Sequence, residues 1–157
     1  MKYTYFKQAE VQNNQPCPTS GEIRKDDIGL IYTGNLDVNK KPCGQGHIVW
    51  NDKSSYTGHW KNGRREGNGM LLWSDGSKYN GEWYDDTMSG EGVLETSGMI
   101  YRGDFTHNVI NGNGKITFME PYRKGDEYVG EVQAGYMTGY GEYHYSDGRK
   151  FTGFIFY

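Results

Sequence analysis

The chain has 157 residues, a formal net charge of −3 and only 34% hydrophobic residues, but it carries 24 glycines and 14 tyrosines. The negative charge disfavours general binding to nucleic acid, which needs a basic face. No apolar run is long enough to cross a membrane. Since leucine, isoleucine and valine are too few for a two-layer core, we expect a thin structure in which aromatic rings pack over glycine.

The cysteine pattern and the N-terminus bear on the compartment. Cys17 and Cys43 form no Cys-x-x-Cys motif, which predicts neither a disulfide framework nor a zinc site and fits a reducing compartment. The first residues, MKYTYFKQAEVQ, lack the apolar segment of a signal peptide. We therefore expect a cytoplasmic protein.

Residues 1–31 precede the periodic part of the sequence. The stretch QNNQPCPTSG is typical of a linker, and we treat 1–31 as an N-terminal extension. Gly21 precedes Tyr32 by a spacing close to that between later Gly-x-Gly motifs and the next aromatic residue. A degenerate half-repeat between Gly21 and Tyr32 therefore stays open as an alternative.

From residue 32 onward one short pattern recurs about every 23 residues, which indicates an array of similar small units. In each unit an aromatic residue is followed two places later by glycine and four places later by an apolar residue. Five of the six units continue with Gly-x-Gly. The six units begin at Tyr32, Tyr56, Tyr79, Tyr101, Tyr128 and Phe151.

The alternation within each unit has a period of two, which predicts two β-strands per unit. Ser-Asp-Gly at 74–76 and 146–148 predicts tight turns between units. The predicted fold is all-β: a single-layer, twisted antiparallel meander of about 11 strands. Residues 32–157 would form one array of five full repeats plus a terminal half-repeat.

These residues resemble the MORN (membrane occupation and recognition nexus) repeat, whose pattern is Tyr-x-Gly-x-Trp, a short loop, Gly-x-Gly and Asp-Gly. The unit YTGHWKNGRREGNGMLLWSDGSK, from Tyr56 to Lys78, matches nearly every position. The sequence departs from the pattern at Leu36 and Val132, which replace Trp or Phe, and in the insertion 119–126. The resemblance implies an array that positions, docks or dimerises, often in cytoskeletal or ciliary assemblies, with any catalysis in another domain.

No constellation of catalytic residues is evident. The four histidines lack metal-ligand spacing. Glu82, Asp104 and Glu131 share one offset and form an acidic ladder, but an open sheet offers no cleft for paired carboxylates. None of the Gly-x-Gly motifs opens a helix in the way a phosphate-binding loop does. We predict no enzyme activity, no cofactor and no metal.

We therefore predict a non-catalytic scaffold that docks a protein partner through its aromatic face and its C-terminal loops. A single layer is expected to leave the aromatic rings partly open. The loops within the units change from basic through acidic to apolar along the array. The predicted contact residues are Tyr56, Trp60, Tyr79, Trp83, Tyr101, Phe105, Val109, Ile110, Tyr128, Tyr136, Met137 and Phe154.

The alternative function is peripheral binding to anionic phospholipid membranes. Basic side chains cluster in the first two loops and would contribute to attraction by an anionic surface. The net negative charge and the acidic ladder weigh against it. The predicted lipid-contacting residues are Lys40, Lys41, Lys61, Arg64 and Arg65.

The last strand, FTGFIFY, is apolar on both faces, because Phe154 stands where other units have a polar residue. Soluble proteins usually protect such an edge strand. It could be covered by the N-terminal segment, by a second copy in a homodimer, or by a partner that adds a strand.

Overall fold

The computed structural model describes residues 17, 19–25 and 28–156, so the predictions for residues 1–16 lie outside the described part. The described chain forms one antiparallel sheet whose strands follow each other in chain order. This confirms the predicted all-β meander. The strands are β1 (Thr19–Lys25), β2 (Leu30–Leu36), β3 (Pro42–Val49), β4 (Ser55–Lys61), β5 (Arg64–Leu72), β6 (Lys78–Tyr84), β7 (Thr87–Glu95), β8 (Met99–Thr106), β9 (Val109–Phe118), β10 (Glu127–Gln133), β11 (Tyr136–His144) and β12 (Lys150–Ile155).

The sheet has one strand more than the predicted number. β1 lies within the segment that we treated as an extension, and it pairs with β2 so that Gly21 stands opposite Gly34. The division of the chain at residue 31 stays a prediction.

Two kinds of strand alternate through the sheet. We call β2, β4, β6, β8, β10 and β12 ring strands, because each carries the aromatic residue that begins a unit. We call β3, β5, β7, β9 and β11 glycine strands, because each carries a Gly-x-Gly. β1 precedes the first ring strand and occupies the place of a glycine strand.

One row of glycines crosses the whole sheet. Every strand contributes one glycine, and each stands opposite the glycine of the next strand. Without side chains, these positions leave a continuous notch along one face. The row consists of Gly21, Gly34, Gly46, Gly58, Gly69, Gly81, Gly92, Gly103, Gly114, Gly130, Gly141 and Gly153.

Five tyrosines fill this notch and form the centre of the core. Each ring lies over the glycine of its own strand and that of the following glycine strand. Each hydroxyl donates a hydrogen bond to the carbonyl three residues ahead, as Tyr56 does to His59 at 3.0 Å. The expectation that the rings would be partly open was wrong for these tyrosines, whose exposure is 0–1%. They are Tyr32, Tyr56, Tyr79, Tyr101 and Tyr128.

The buried side chain at the fourth position after each tyrosine completes the core; it is a ring in the units with Trp60, Trp83 and Phe105, and an aliphatic side chain at Leu36 and Val132. Trp83 packs edge-on against both Tyr56 and Tyr79, with ring centroids 5.2 and 5.3 Å apart. Trp60 stands in the same way between Tyr32 and Tyr56. Edge-to-face contacts are a favoured geometry for aromatic pairs. These aromatic rings of the core therefore form one row in which each ring packs edge-on against its neighbours.

Tight turns occur both within the units and between them. The turns at 62–63, 85–86, 107–108 and 134–135 have positive φ at both residues, as a type I′ hairpin requires. The predicted Ser-Asp-Gly turns between units are present: the N–H of Gly76 donates to the Trp73 carbonyl and that of Gly148 to the Tyr145 carbonyl, both at 3.0 Å, and both glycines are left-handed. These turns are one residue longer, so the strands do not need the primed geometry.

A bulge in each glycine strand adds twist. After the paired glycines Gly58 and Gly69, three residues of β5 stand against one residue of β4. Gly67, the first glycine of its Gly-x-Gly, has φ +69° at this point, a conformation that side-chain-bearing residues rarely adopt. The Gly-x-Gly motif is thus explained by the fold and does not indicate a phosphate site.

Candidate protein-interaction surface

Most of the predicted aromatic contact residues belong to the core. Their side chains have almost no surface to offer a partner, because the rings pack against one another and over the glycine row. Among the described residues, these core rings therefore form no open face for docking. The residues concerned are Tyr56, Trp60, Tyr79, Trp83, Tyr101, Phe105 and Tyr128.

The apolar residues predicted to lie in C-terminal loops instead begin strands. Val109 and Ile110 open β9, and Tyr136 and Met137 open β11. Ile110 is buried and Met137 packs against the core, whereas Val109 and Tyr136 are exposed. The actual turns are shorter than the sequence suggested, since each has only two residues.

Three of the exposed aromatic side chains at the C-terminal end of the sheet are joined by ring contacts, and we call them the aromatic patch: Tyr140, Phe154 and Phe156. Tyr140 and Phe154 stand opposite each other on β11 and β12, with ring centroids 5.4 Å apart and an edge-on geometry. Phe154 and Phe156 are stacked with centroids 6.1 Å apart. The patch therefore joins the last two strands.

The patch is exposed although its rings are large. Tyr140 is 58% exposed and Phe154 is 64% exposed. The sequence marked Phe154 because it replaces a polar residue. Tyr140 was missed, although it stands where the other Gly-x-Gly motifs have Gln45, Asn68, Glu91 and Asn113. That comparison would have found it.

The acidic ladder serves the fold on the face opposite the core. Glu82, Asp104 and Glu131 each lie against the left-handed glycine of the next strand. The carboxylate of Asp104 also accepts a hydrogen bond from the backbone N–H of Asn113 at 2.9 Å. These carboxylates cover the bulges, and this accounts for their shared offset.

The basic loops are largely paired with the acidic loop that follows. Arg64 forms an ion pair with Asp85, and Arg65 forms one with Asp86 at 3.1 Å. Arg65 also lies over the Trp83 ring at 4.1 Å. The backbone N–H of Arg65 donates to the Asp86 carboxylate at 2.9 Å. The positive charges next to the β4–β5 turn and the negative charges of the β6–β7 turn thus neutralise each other.

The three lysines of the predicted lipid-binding set remain at the surface. Lys40 and Lys41 are exposed in the β2–β3 loop. The Lys61 ammonium is 4.0 Å from the Glu66 carboxylate. The basic surface is therefore smaller than the sequence suggested.

The expectation of no disulfide was wrong. Cys17 and Cys43 are joined by a disulfide, and their Cα atoms are 5.9 Å apart. Distance along the chain hid this pairing: Cys17 lies just before β1 and Cys43 lies in β3, and only β2 separates these two strands in the sheet. The disulfide lies beside a cleft of about 530 Å³ that also contains Lys61 and Glu66. Charges of both signs line it, and no reactive group is evident there.

Elsewhere among the described residues, the side chains that could bind a metal or take part in catalysis do not form clusters. Within these ranges, no three His, Cys, Asp or Glu side chains come together in a way that could hold a metal ion. No helix long and apolar enough to cross a membrane occurs in the described part of the chain.

The tyrosine hydroxyls are held in their neutral form. Burial raises the pKa of Tyr32, Tyr56 and Tyr101 to about 12. Burial, with the hydrogen bond to Asp126, raises the pKa of Tyr143 to about 12 as well. Desolvation opposes the phenolate, so these groups act as hydrogen-bond donors in the core.

Five segments of the chain match the profile of the MORN repeat: residues 32–55, 56–78, 79–97, 101–119 and 128–148. No curated protein sequence matches the chain significantly. One similar solved structure is the TCP domain of SAS-4 (dCPAP) of Drosophila melanogaster in complex with a proline-rich motif of Ana2 (dSTIL). It is 15% identical with a TM-score of 0.44, covering 97% of this chain and 84% of that chain. That likeness is too low to support an argument about function. Since the five matched segments make up more than half of the residues and coincide with the ring and glycine strands, the chain belongs to the MORN-repeat family.

Proposed function

We propose that the chain is a non-catalytic scaffold that binds a protein partner through the aromatic patch of Tyr140, Phe154 and Phe156. The main observation is the exposure of these rings, in contact with each other, on the face opposite the core. Contiguous exposed apolar surface is typical of interaction sites. Aromatic side chains are also favoured anchors at interfaces.

The rest of the sheet supports a scaffold rather than an enzyme. The repeated tyrosines, tryptophans and glycines serve packing, and the acidic ladder covers bulges. These features account for the periodic sequence without any catalytic role. Core packing does not explain why aromatic side chains stand at the exposed positions of the aromatic patch.

Val109 and Tyr136 extend the proposed interaction surface. Both are exposed next to the type I′ turns of neighbouring units. Unlike Ile110 and Met137, they can contact a partner without disturbing the core. We place them at the rim of the proposed site, with the aromatic patch as its anchor.

We also propose a cytoplasmic location in association with the cytoskeleton or a cilium. This rests on the resemblance to family members with such roles, and the Cys17–Cys43 disulfide weighs against it, because disulfides are rare in the cytosol. Imaging of a fluorescent fusion tests it, and a uniformly extracellular or luminal distribution would contradict it.

The test of the patch is affinity purification of stabilised complexes with quantitative mass spectrometry. The double variant Tyr140→Ser, Phe154→Ser should lose the partners that the wild type retains. Tyr84→Ser is the matched control, because Tyr84 is also 64% exposed but lies on β6, away from the patch. Equal partner recovery with the double variant and the wild type would contradict the proposed site.

A further inference from the structure

The two end strands of the sheet are of complementary kinds. At one end β1 occupies the place of a glycine strand, and at the other end β12 is a ring strand. Among the described residues, each of them pairs on one side only. Inside the array every ring strand lies between two glycine strands, so each end lacks the kind of neighbour that the other end provides.

The Phe151 ring of β12 covers one glycine, whereas each core tyrosine covers two. Each of the five core tyrosines covers the glycine of its own strand and that of the next glycine strand. Phe151 stands over Gly153 in its own strand, but β12 has no following strand among the described residues. Phe151 is consequently 45% exposed, compared with 0–1% for the tyrosines.

At the other end of the described sheet, the row glycine of β1 has no aromatic ring over it. Gly21 of β1 belongs to the glycine row, and the side chain of Leu36 approaches it from β2. No aromatic ring lies among the three nearest atoms above Gly21, whereas a tyrosine covers every glycine-strand glycine of the row. A hollow of about 620 Å³ lies here, lined among the described residues by Gly21, Ile23 and Leu36.

We propose that a second copy of this chain docks head to tail, with β12 of one copy pairing antiparallel with β1 of the next. Placing Gly153 opposite Gly21 continues the glycine row across the junction. The same register puts Phe151 opposite Ile23. This reproduces the pairing inside the array, where Tyr32 stands opposite Ile48.

The junction would also reproduce the third contact of each repeat. Trp83 packs between the ring of its own unit and the ring of the preceding unit. Leu36 occupies the equivalent position in the first unit, but only its own Tyr32 is present in one copy. The Phe151 ring of the neighbouring copy takes the missing place.

A tail-to-tail dimer of two β12 strands is disfavoured by the same geometry. If Gly153 faced Gly153 of the second copy, both Phe151 rings would lie over one pair of glycines. Inside the array one ring covers each such pair, and the notch has no room for two. The head-to-tail arrangement gives one ring to each pair.

One cross-strand pair at the junction carries like charges and is unfavourable. This pair makes the association dependent on salt, which can be measured. In the proposed register Lys150 stands opposite Arg24, and like charges at directly opposed positions are unfavourable. Glu142 contacts Lys150 at 2.8 Å and Glu22 contacts Arg24 at 2.5 Å within each copy, which offsets part of this repulsion. Association should therefore strengthen with added salt, which screens the repulsion.

Such a contact joins two different surfaces and leaves one end strand unpaired on each outer copy. Further copies can therefore add, which gives chains or closed rings rather than a fixed dimer. The aromatic patch lies on the opposite face of β12 from Phe151 and stays accessible. The proposal is therefore independent of the partner binding described above.

Sedimentation velocity on the full chain tests the junction with two blocked variants. Gly21→Lys fills the space over the row glycine of β1, where only the flexible end of Leu36 must move. Phe151→Lys removes the ring from β12 at a site that is already half exposed. Circular dichroism and thermal unfolding establish that each variant is folded.

Wild-type chain should sediment as progressively larger species with rising concentration, and each blocked variant should stay monomeric. A mixture of the two variants should form a 1:1 dimer and grow no further, because the unblocked β12 of one variant pairs with the unblocked β1 of the other and the two remaining end strands are blocked. Self-association of Gly21→Lys on its own would overturn the proposal in favour of tail-to-tail pairing. A wild type that stays monomeric at all concentrations and salt levels would also overturn it.

Discussion

The ring of Tyr56 lies directly over Gly69 of the neighbouring strand. A Cβ atom at Gly69 would be 2.5 Å from Cε2 of Tyr56 and closer still to its hydroxyl oxygen. Gly69 carries no positive φ, so glycine is needed here for space rather than for backbone conformation. The same relation joins Tyr32 to Gly46, Tyr79 to Gly92, Tyr101 to Gly114 and Tyr128 to Gly141.

Removing the Tyr56 hydroxyl should weaken the fold without disturbing its shape. In Tyr56→Phe the carbonyl of His59 loses the hydrogen bond that it accepts at 3.0 Å. We expect a loss of about 1 kcal/mol in the free energy of unfolding, measured by urea denaturation. The exposed Tyr84→Phe is the control and should leave stability unchanged. An equal effect of both variants would contradict a role for the buried hydroxyl.

The two core tryptophans should differ in their response to replacement by phenylalanine. Trp83 Nε1 donates to the Gly69 carbonyl at 3.1 Å, whereas the buried Trp60 Nε1 has no hydrogen-bond partner among the described residues. Both rings pack between two tyrosines, so the packing losses should be similar. We expect Trp83→Phe to destabilise the protein by about 1 kcal/mol more than Trp60→Phe. Denaturant unfolding measures the difference, and the reverse order would contradict the assignment.

Stability should fall at alkaline pH because of the buried tyrosines. The folded state raises the pKa of Tyr32, Tyr56, Tyr101 and Tyr143 from 10.0 to about 12. Below pH 10 both states keep these protons. Between about pH 10 and pH 12 the unfolded state loses them first, so the free energy of unfolding decreases. Denaturation at several pH values checks this, with phenolate absorbance as a second readout; constant stability across that window would contradict it.

The pairing of adjacent turns predicts how the protein behaves at membranes. With Arg64 and Arg65 paired to aspartates, the wild type should bind anionic vesicles weakly. The double variant Asp85→Asn, Asp86→Asn should gain salt-sensitive binding, since each released arginine contributes about 1 kcal/mol at such a surface. Asp52→Asn, Asp75→Asn removes the same charge from the opposite turns and should not gain it. Strong wild-type binding in vesicle flotation would instead support the lipid-binding alternative.

The periodic sequence predicts the fold because each unit repeats its own packing rule. Tyrosine, glycine and tryptophan at fixed offsets determine strand pairing, register and the ring-filled core. β1 escapes the pattern because it keeps only Gly21 of the motif. The Cys17–Cys43 disulfide is hidden because the sheet order β1-β2-β3, and not proximity in the sequence, brings the two cysteines together.

The exposure of the aromatic side chains was predicted less well for a physical reason. Period-two alternation shows which residues share a face, but it does not show how far a curled single layer covers its own rings. Tyr56 and Trp83 were therefore assigned to a partner although they are buried. Phe154 could be identified because it breaks the polar alternation, and Tyr140 becomes evident once β11 is placed beside β12.

The free energy of unfolding of Gly69→Ala, compared with Gly98→Ala, tests most directly whether rings seated over glycines hold this sheet together. Gly98 lies in a turn with its nearest neighbour at 3.5 Å and without a positive φ, so the added methyl group should change stability by less than about 0.5 kcal/mol. At Gly69 the methyl group must displace the Tyr56 ring, and we expect a loss of at least about 2 kcal/mol. Equal stability of the two variants would contradict the account.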